Sequence, residues 1–120
     1  MGKLFYRYYL EINFKENRNA IWDSEELLDC YNFTDFKKQD LYFEEKPKIN
    51  EINHVIDKFK YLYKVYCQEW YKKVKNKIVK LEDIKEDIEA QEFFVYKKYY
   101  QNEEDYNSYI ELENLTERIY

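Results

Sequence analysis

The sequence predicts an α+β fold, predominantly helical: one long central helix over about 50–80, with further helices packed on a small sheet that includes an N-terminal strand over about 4–14. Three observations lead there. The 120 residues include one Gly and one Pro, so tight turns that need positive φ are few and long regular elements are favoured. Hydrophobicity alternates with period two at the start of the chain and recurs every three or four residues after Pro47. Hydrophobic residues make up 45%, enough for one cored domain over 1–120 without metal or disulfide support.

The first element is the strand. Leu4, Tyr6, Tyr8, Leu10, Ile12 and Phe14 form one apolar row, and Phe5, Arg7, Tyr9, Glu11 and Asn13 form the other face. Lys15 to Asn19 supply turn residues. Asp23 or Ser24 then caps a short helix with Glu25 and Glu26 in its first turn, where carboxylates suit the dipole, and Leu27, Leu28 and Tyr31 inward. Leu41-Tyr42-Phe43 is a short strand candidate, and Pro47 ends that stretch.

Asn50 opens the long helix. Ile52, Val55, Ile56, Phe59, Leu62, Tyr63, Tyr66, Cys67, Trp70, Val74 and Ile78 keep to one stripe along it. A second helical pattern follows, with Leu81, Ile84 and Ile88 inward. Residues Phe93 to Tyr96 either continue that helix or form a strand, and the local pattern supports both. A last helix runs from about Asp105 to Arg118.

Charge is unevenly divided. The net value is −5, yet residues 47–80 carry nine basic and three acidic side chains, and residues 81–120 carry four basic and twelve acidic. Lys72, Lys73, Lys75, Lys77 and Lys80 form the densest basic cluster. Cations at a helix C-terminus complement its dipole, and the same lysines could contact nucleic-acid phosphates with Trp70 or Tyr71 stacking on bases. The acidic residues Glu82, Asp83, Glu86, Asp87, Glu89, Glu92, Glu103, Glu104 and Asp105 read first as a solvated face. Their functional reading is a mimic of a nucleic-acid phosphate array, set against a basic channel.

Aromatics reach 21%, with 15 Tyr, 8 Phe and 2 Trp. One core of this size cannot bury 25 rings together with its aliphatic residues, so several Tyr are expected at the surface as hydrogen-bonding, low-entropy contacts. Tyr96, Tyr99, Tyr100 and Tyr106 are the candidates. AT-rich coding explains the same surplus without a function.

Chemistry is thin. His54 is the single histidine, Gly2 the single glycine, and Ser24 and Ser108 stand in no nucleophile motif, so no catalytic residue, metal site or cofactor is expected. Cys30 and Cys67 stand apart and read as reduced, buried small hydrophobes. No run approaches a membrane span, and the first residues lack a signal-peptide core, so the expectation is a cytoplasmic protein that makes no membrane contact.

In composition the chain is similar to the small, acidic, Tyr-rich proteins of phages and mobile elements of AT-rich bacteria, among them anti-CRISPR proteins. That resemblance is one of style and is carried by no motif. It implies a non-catalytic inhibitor or adaptor that binds a bacterial protein with a basic surface, such as a nucleic-acid-processing or defence enzyme. A nucleic-acid binder led by the lysine cluster and a homo-oligomeric structural protein are the alternatives.

Overall fold

A computed structural model describes residues 4–16, 21–30, 33–34, 36–84 and 88–119. Its frame is an antiparallel sheet. Strand β1 (Phe5–Glu16) pairs along its whole length with β4 (Ile88–Tyr100), from Phe5 opposite Tyr100 to Glu16 opposite Ile88. The other edge of β1 takes β2 (Ile21–Asp23) at one end and β3 (Tyr42–Phe43) at the other, and β5 (Glu117–Arg118) adds to the free edge of β4. Helix α1 (Ser24–Cys30) follows β2, α2 (Ile49–Val74) follows β3, and α3 (Glu103–Asn107) follows β4.

This architecture overturns the predominantly helical one. The long helix stops at Val74 instead of Lys80. Where a second helix was expected, Leu81–Asp83 form a 3₁₀ turn and Ile88 begins β4, while 85–87 lie outside the described residues. The final helix over 105–118 is replaced by five residues of α3, a 3₁₀ turn (Glu113–Leu115) and β5. The reason lies in β1. A strand of twelve residues leaves backbone donors and acceptors along both edges, and these need a partner of equal length. Residues 88–100 supply it, because Phe93, Phe94, Tyr96, Tyr99 and Tyr100 suit a pleated surface better than a helix.

Local signals set the helix starts. Asp23 and Glu26 form a reciprocal capping box, the Glu26 N–H donating to Asp23 Oδ1 at 2.9 Å and the Asp23 N–H to Glu26 Oε2 at 3.2 Å. At α2 the Glu51 side chain accepts from the Lys48 N–H at 3.1 Å, so the helix opens before Asn50. At the other end Asn76 takes a left-handed φ of 51°, and the N–H groups of Lys75 and Lys77 both donate to the Tyr71 carbonyl.

The core joins one face of the sheet to the first half of α2. Leu10, Ile12 and Phe14 of β1 and Val95 of β4 are fully buried with Ile52, Ile56, Phe59 and Leu62 of α2. Phe59 lies 6.4 Å from Phe14 and 4.9 Å from Phe36, centroid to centroid. Tyr66 and Cys67 still pack against the core, but beyond them the helix leaves it, and Trp70 and Val74 are exposed rather than inward. Helix α2 starts near β3, which lies opposite Tyr8 and Tyr9, and reaches Phe14 by Phe59. It therefore runs in the direction of β1 and continues for about 22 Å after the sheet partner has nearly ended. The molecule is correspondingly long, 59 × 25 × 23 Å. Among the described residues, no helix is long and apolar enough to cross a membrane.

Candidate interaction surfaces

The second sheet face is polar and aromatic, and it is organised around Arg7. Alternation puts Phe5, Arg7 and Tyr9 on this face with their β4 partners Tyr100, Lys98 and Tyr96. Arg7 is 4% exposed. Its guanidinium lies 3.7 Å from the centroid of Tyr106, 4.1 Å from Tyr109 and 5.0 Å from Tyr100. Nη1 donates to the Tyr106 carbonyl at 2.9 Å, and Nη2 is 3.8 Å from Glu44. Burial alone would lower the Arg7 pKa, but the hydrogen bonds to Tyr106 and Tyr100 outweigh it, and the charge is retained.

Around this cage four phenols donate to carboxylates. Tyr106 donates to Glu44, Tyr42 to Glu111, Tyr9 to Glu25 and Tyr96 to Glu11. Glu111 also accepts from Lys98 Nζ at 2.9 Å. Burial, then hydrogen bonding to these carboxylates, pushes Tyr9 and Tyr42 well above the usual phenol range. Among the described residues no buried side-chain polar atom lacks a partner. The lattice supports the sheet from this face.

The lattice also redistributes the candidate tyrosines. Tyr100 is fully buried, Tyr96 is held by Glu11, and Tyr106 covers Arg7. Tyr99 is half-buried opposite Tyr6, with its hydroxyl donating to Glu117 at 3.2 Å. Phe5 stands 5.8 Å from Tyr106, and Tyr6 stands 6.2 Å from Tyr99. At this end of the sheet Leu4, Phe5 and Tyr6 are 39%, 41% and 45% exposed. None of the three was a sequence candidate; their place at the start of the alternating row, ahead of its covered part, was the available signal.

The acidic candidates separate into groups. Glu103, Glu104 and Asp105 form the first turn of α3, capped by Asn102, whose Oδ1 accepts from the Asp105 N–H at 2.8 Å. That turn follows closely on Tyr100, the partner of Phe5, and Phe5 stands beside Tyr106 of the same helix; Tyr6 lies on the opposite face of the strand. Glu92 is exposed opposite Asn13, about 27 Å away along β4. Glu82 and Asp83 are exposed on the 3₁₀ turn after α2. Glu86 and Asp87 lie outside the described residues, as does the side chain of Glu89. The described acids therefore do not converge on one face.

The basic candidates do converge. Lys72 and Lys73 end α2, Lys75 caps it, and Lys77 and Lys80 follow on the returning segment, all exposed. Among the described residues Lys72, Lys73, Lys77 and Lys80 form no ion pair.

Groups with chemical potential lie apart. His54 is exposed on α2, and the buried Ser24 accepts the Ile12 N–H at 3.2 Å. Cys67 is a half-buried thiol that lines, with Tyr63, Tyr71, Lys77, Asp83 and Ile84, a hollow of about 310 Å³. Among the described residues no group of three His, Cys, Asp or Glu is placed to hold a metal ion. Comparison with protein-family models, curated proteins and solved structures finds no match for the chain.

Proposed function

We propose that the chain is a small, non-catalytic cytoplasmic protein that binds and inhibits, or adapts, a bacterial nucleic-acid-processing or defence protein, in the manner of anti-CRISPR proteins. The docking surface is the end of the sheet where β1 begins and β4 ends. One observation carries this reading: Phe5 is exposed 5.8 Å from Tyr106 of α3, whose first turn carries Glu103, Glu104 and Asp105, which form no ion pair among the described residues, and Tyr6 is exposed on the opposite face of the same strand end. Exposed aromatic and aliphatic groups supply contact area, and neighbouring carboxylates steer the approach of a basic partner. The Arg7 lattice beneath keeps that patch rigid, so little side-chain freedom is lost on docking.

Affinity capture from a bacterial lysate tests the reading, using the wild-type chain, a Phe5→Ala/Tyr6→Ala variant and a Glu103→Lys/Glu104→Lys variant. The expected outcome is retention of a basic nucleic-acid-processing protein by the wild type, weakened by salt and lost in both variants. Equal retention by all three chains would remove this surface from the function.

A further inference from the structure

We infer that the projecting end of α2 is a second contact surface, separate from the sheet end, and that its ligand is single-stranded nucleic acid. The tertiary structure gathers what the sequence leaves spread along the chain. The left-handed turn at Asn76 reverses the backbone, and Gln68 Nε2 donates to the Val79 carbonyl at 2.8 Å, pinning the returning segment beside the helix. Five lysines with no acid between them, Lys72 to Lys80, are thereby held on one tip.

Flat and apolar groups stand among those charges. Trp70 is 39% exposed, packs edge-on against Tyr71 at 5.3 Å, and has the Lys75 ammonium 5.6 Å from its ring centre. Ile78 is 90% exposed. Between helix and returning segment lies a hollow of about 260 Å³ lined by Gln68, Glu69, Lys72, Ile78 and Val79. An apolar floor with amide and carboxylate groups at its rim suits a planar, hydrogen-bonding base, while the ammoniums take the phosphates on either side.

Charge and shape narrow the ligand. Ammonium groups are point charges without the fork that reads guanine edges, so binding is sequence-tolerant. A projecting ring and a shallow hollow reach bases only where they are unstacked, which selects a single strand. Glu82 and Asp83 follow Lys80 and reduce the local positive charge, but the acidic sheet end does not oppose binding. It lies at the other end of a 59 Å molecule, and a charge is screened over about 8 Å at physiological salt. An anionic lipid surface would also accept Val74 and Ile78, but it offers no base to stack on the exposed Trp70.

Fluorescence anisotropy of a labelled mixed-sequence DNA strand of about 20 nucleotides tests the assignment. Four phosphate contacts predict affinity falling about 50-fold between roughly 50 and 200 mM salt. Lys72→Glu/Lys73→Glu/Lys75→Glu/Lys77→Glu abolishes binding, Trp70→Ala weakens it about tenfold, and Glu103→Lys/Glu104→Lys leaves it in place. The proposal is overturned by no binding at about 100 μM protein in low salt, or by a quadruple variant that binds like wild type. A duplex bound more tightly than the strand overturns it too, as do anionic phosphatidylserine vesicles bound in place of the strand.

Discussion

Arg7 and Tyr106 are joined twice: the guanidinium lies over the tyrosine ring at 3.7 Å and also donates to the backbone carbonyl of the same residue at 2.9 Å. The first contact fixes the side chain of Tyr106, and the second fixes the position of α3. A cation buried to 4% exposure is tolerated because rings, a carbonyl, a hydroxyl and Glu44 together replace its water.

Removing Arg7 therefore strands its partners. Arg7→Ala is expected to cost about 3 kcal/mol, from lost cation–π contact and an unsatisfied Tyr106 carbonyl. Arg7→Lys keeps the charge but not the planar donor group, and recovers only part of that. Urea unfolding measures both; a loss below about 1 kcal/mol for the alanine variant would show the cage to be incidental.

Phe59 holds sheet and helix together. Phe59→Ala is expected to destabilise by about 3–5 kcal/mol, because a buried ring touching Phe14 and Phe36 leaves a cavity. Tyr61, two residues away and 54% exposed, is the control, and its alanine variant should change stability by less than about 1 kcal/mol. Equal effects at the two positions would contradict the packing described.

Alkaline pH should unfold the protein through its buried phenols. Burial pushes Tyr100 up to about 12, against the lowering effect of Arg7, and Tyr9 and Tyr42 are raised in the same sense. A tyrosine in the unfolded chain ionises near 10, so above that pH the native chain holds protons that the unfolded chain has released. The stabilisation from Tyr100, on the order of 2–3 kcal/mol, is complete below about pH 10 and is lost as pH rises towards about 12. Unfolding midpoints between about pH 8 and 11.5 should fall, and less steeply in Tyr100→Phe. A flat profile would refute the account.

The turn at Asn76 makes a backbone prediction. A non-glycine residue at φ 51° carries some strain, which Asn tolerates best. Asn76→Gly should leave stability unchanged or raise it slightly, whereas Asn76→Val should cost about 1–2 kcal/mol and loosen the lysine tip. Thermal melts of the two variants separate these outcomes.

Patterns confined to a few consecutive residues were legible. The alternation over Leu4 to Phe14 falls on β1 from Phe5 onward, the spacing of Ile52, Val55, Ile56, Phe59, Leu62 and Tyr63 is the buried stripe of α2, and Asp23 caps α1. Leu81, Ile84 and Ile88 mimic a helical stripe and were misread as one, and Phe93 to Tyr96 stayed open between helix and strand, because the choice of strand depends on a partner about eighty residues away. The candidate tyrosines were legible as a surplus but not by position. Burial of Tyr100 and exposure of Phe5 follow from where β4 stops against β1, a register that no local pattern encodes.

The sequence by itself determined one apolar stripe for a long helix, one alternating strand, and the division of charge into a basic and an acidic part. The tertiary structure decided the rest. It paired β1 with β4, drew Arg7 into a cage of tyrosines, dispersed the described acids and collected the lysines on a tip. The physical reason is range. Helical stripes and caps are satisfied within a few residues. Strand partners, buried cations and surface patches are set by groups far apart in the chain, which meet only when the backbone hydrogen bonds of β1 are completed.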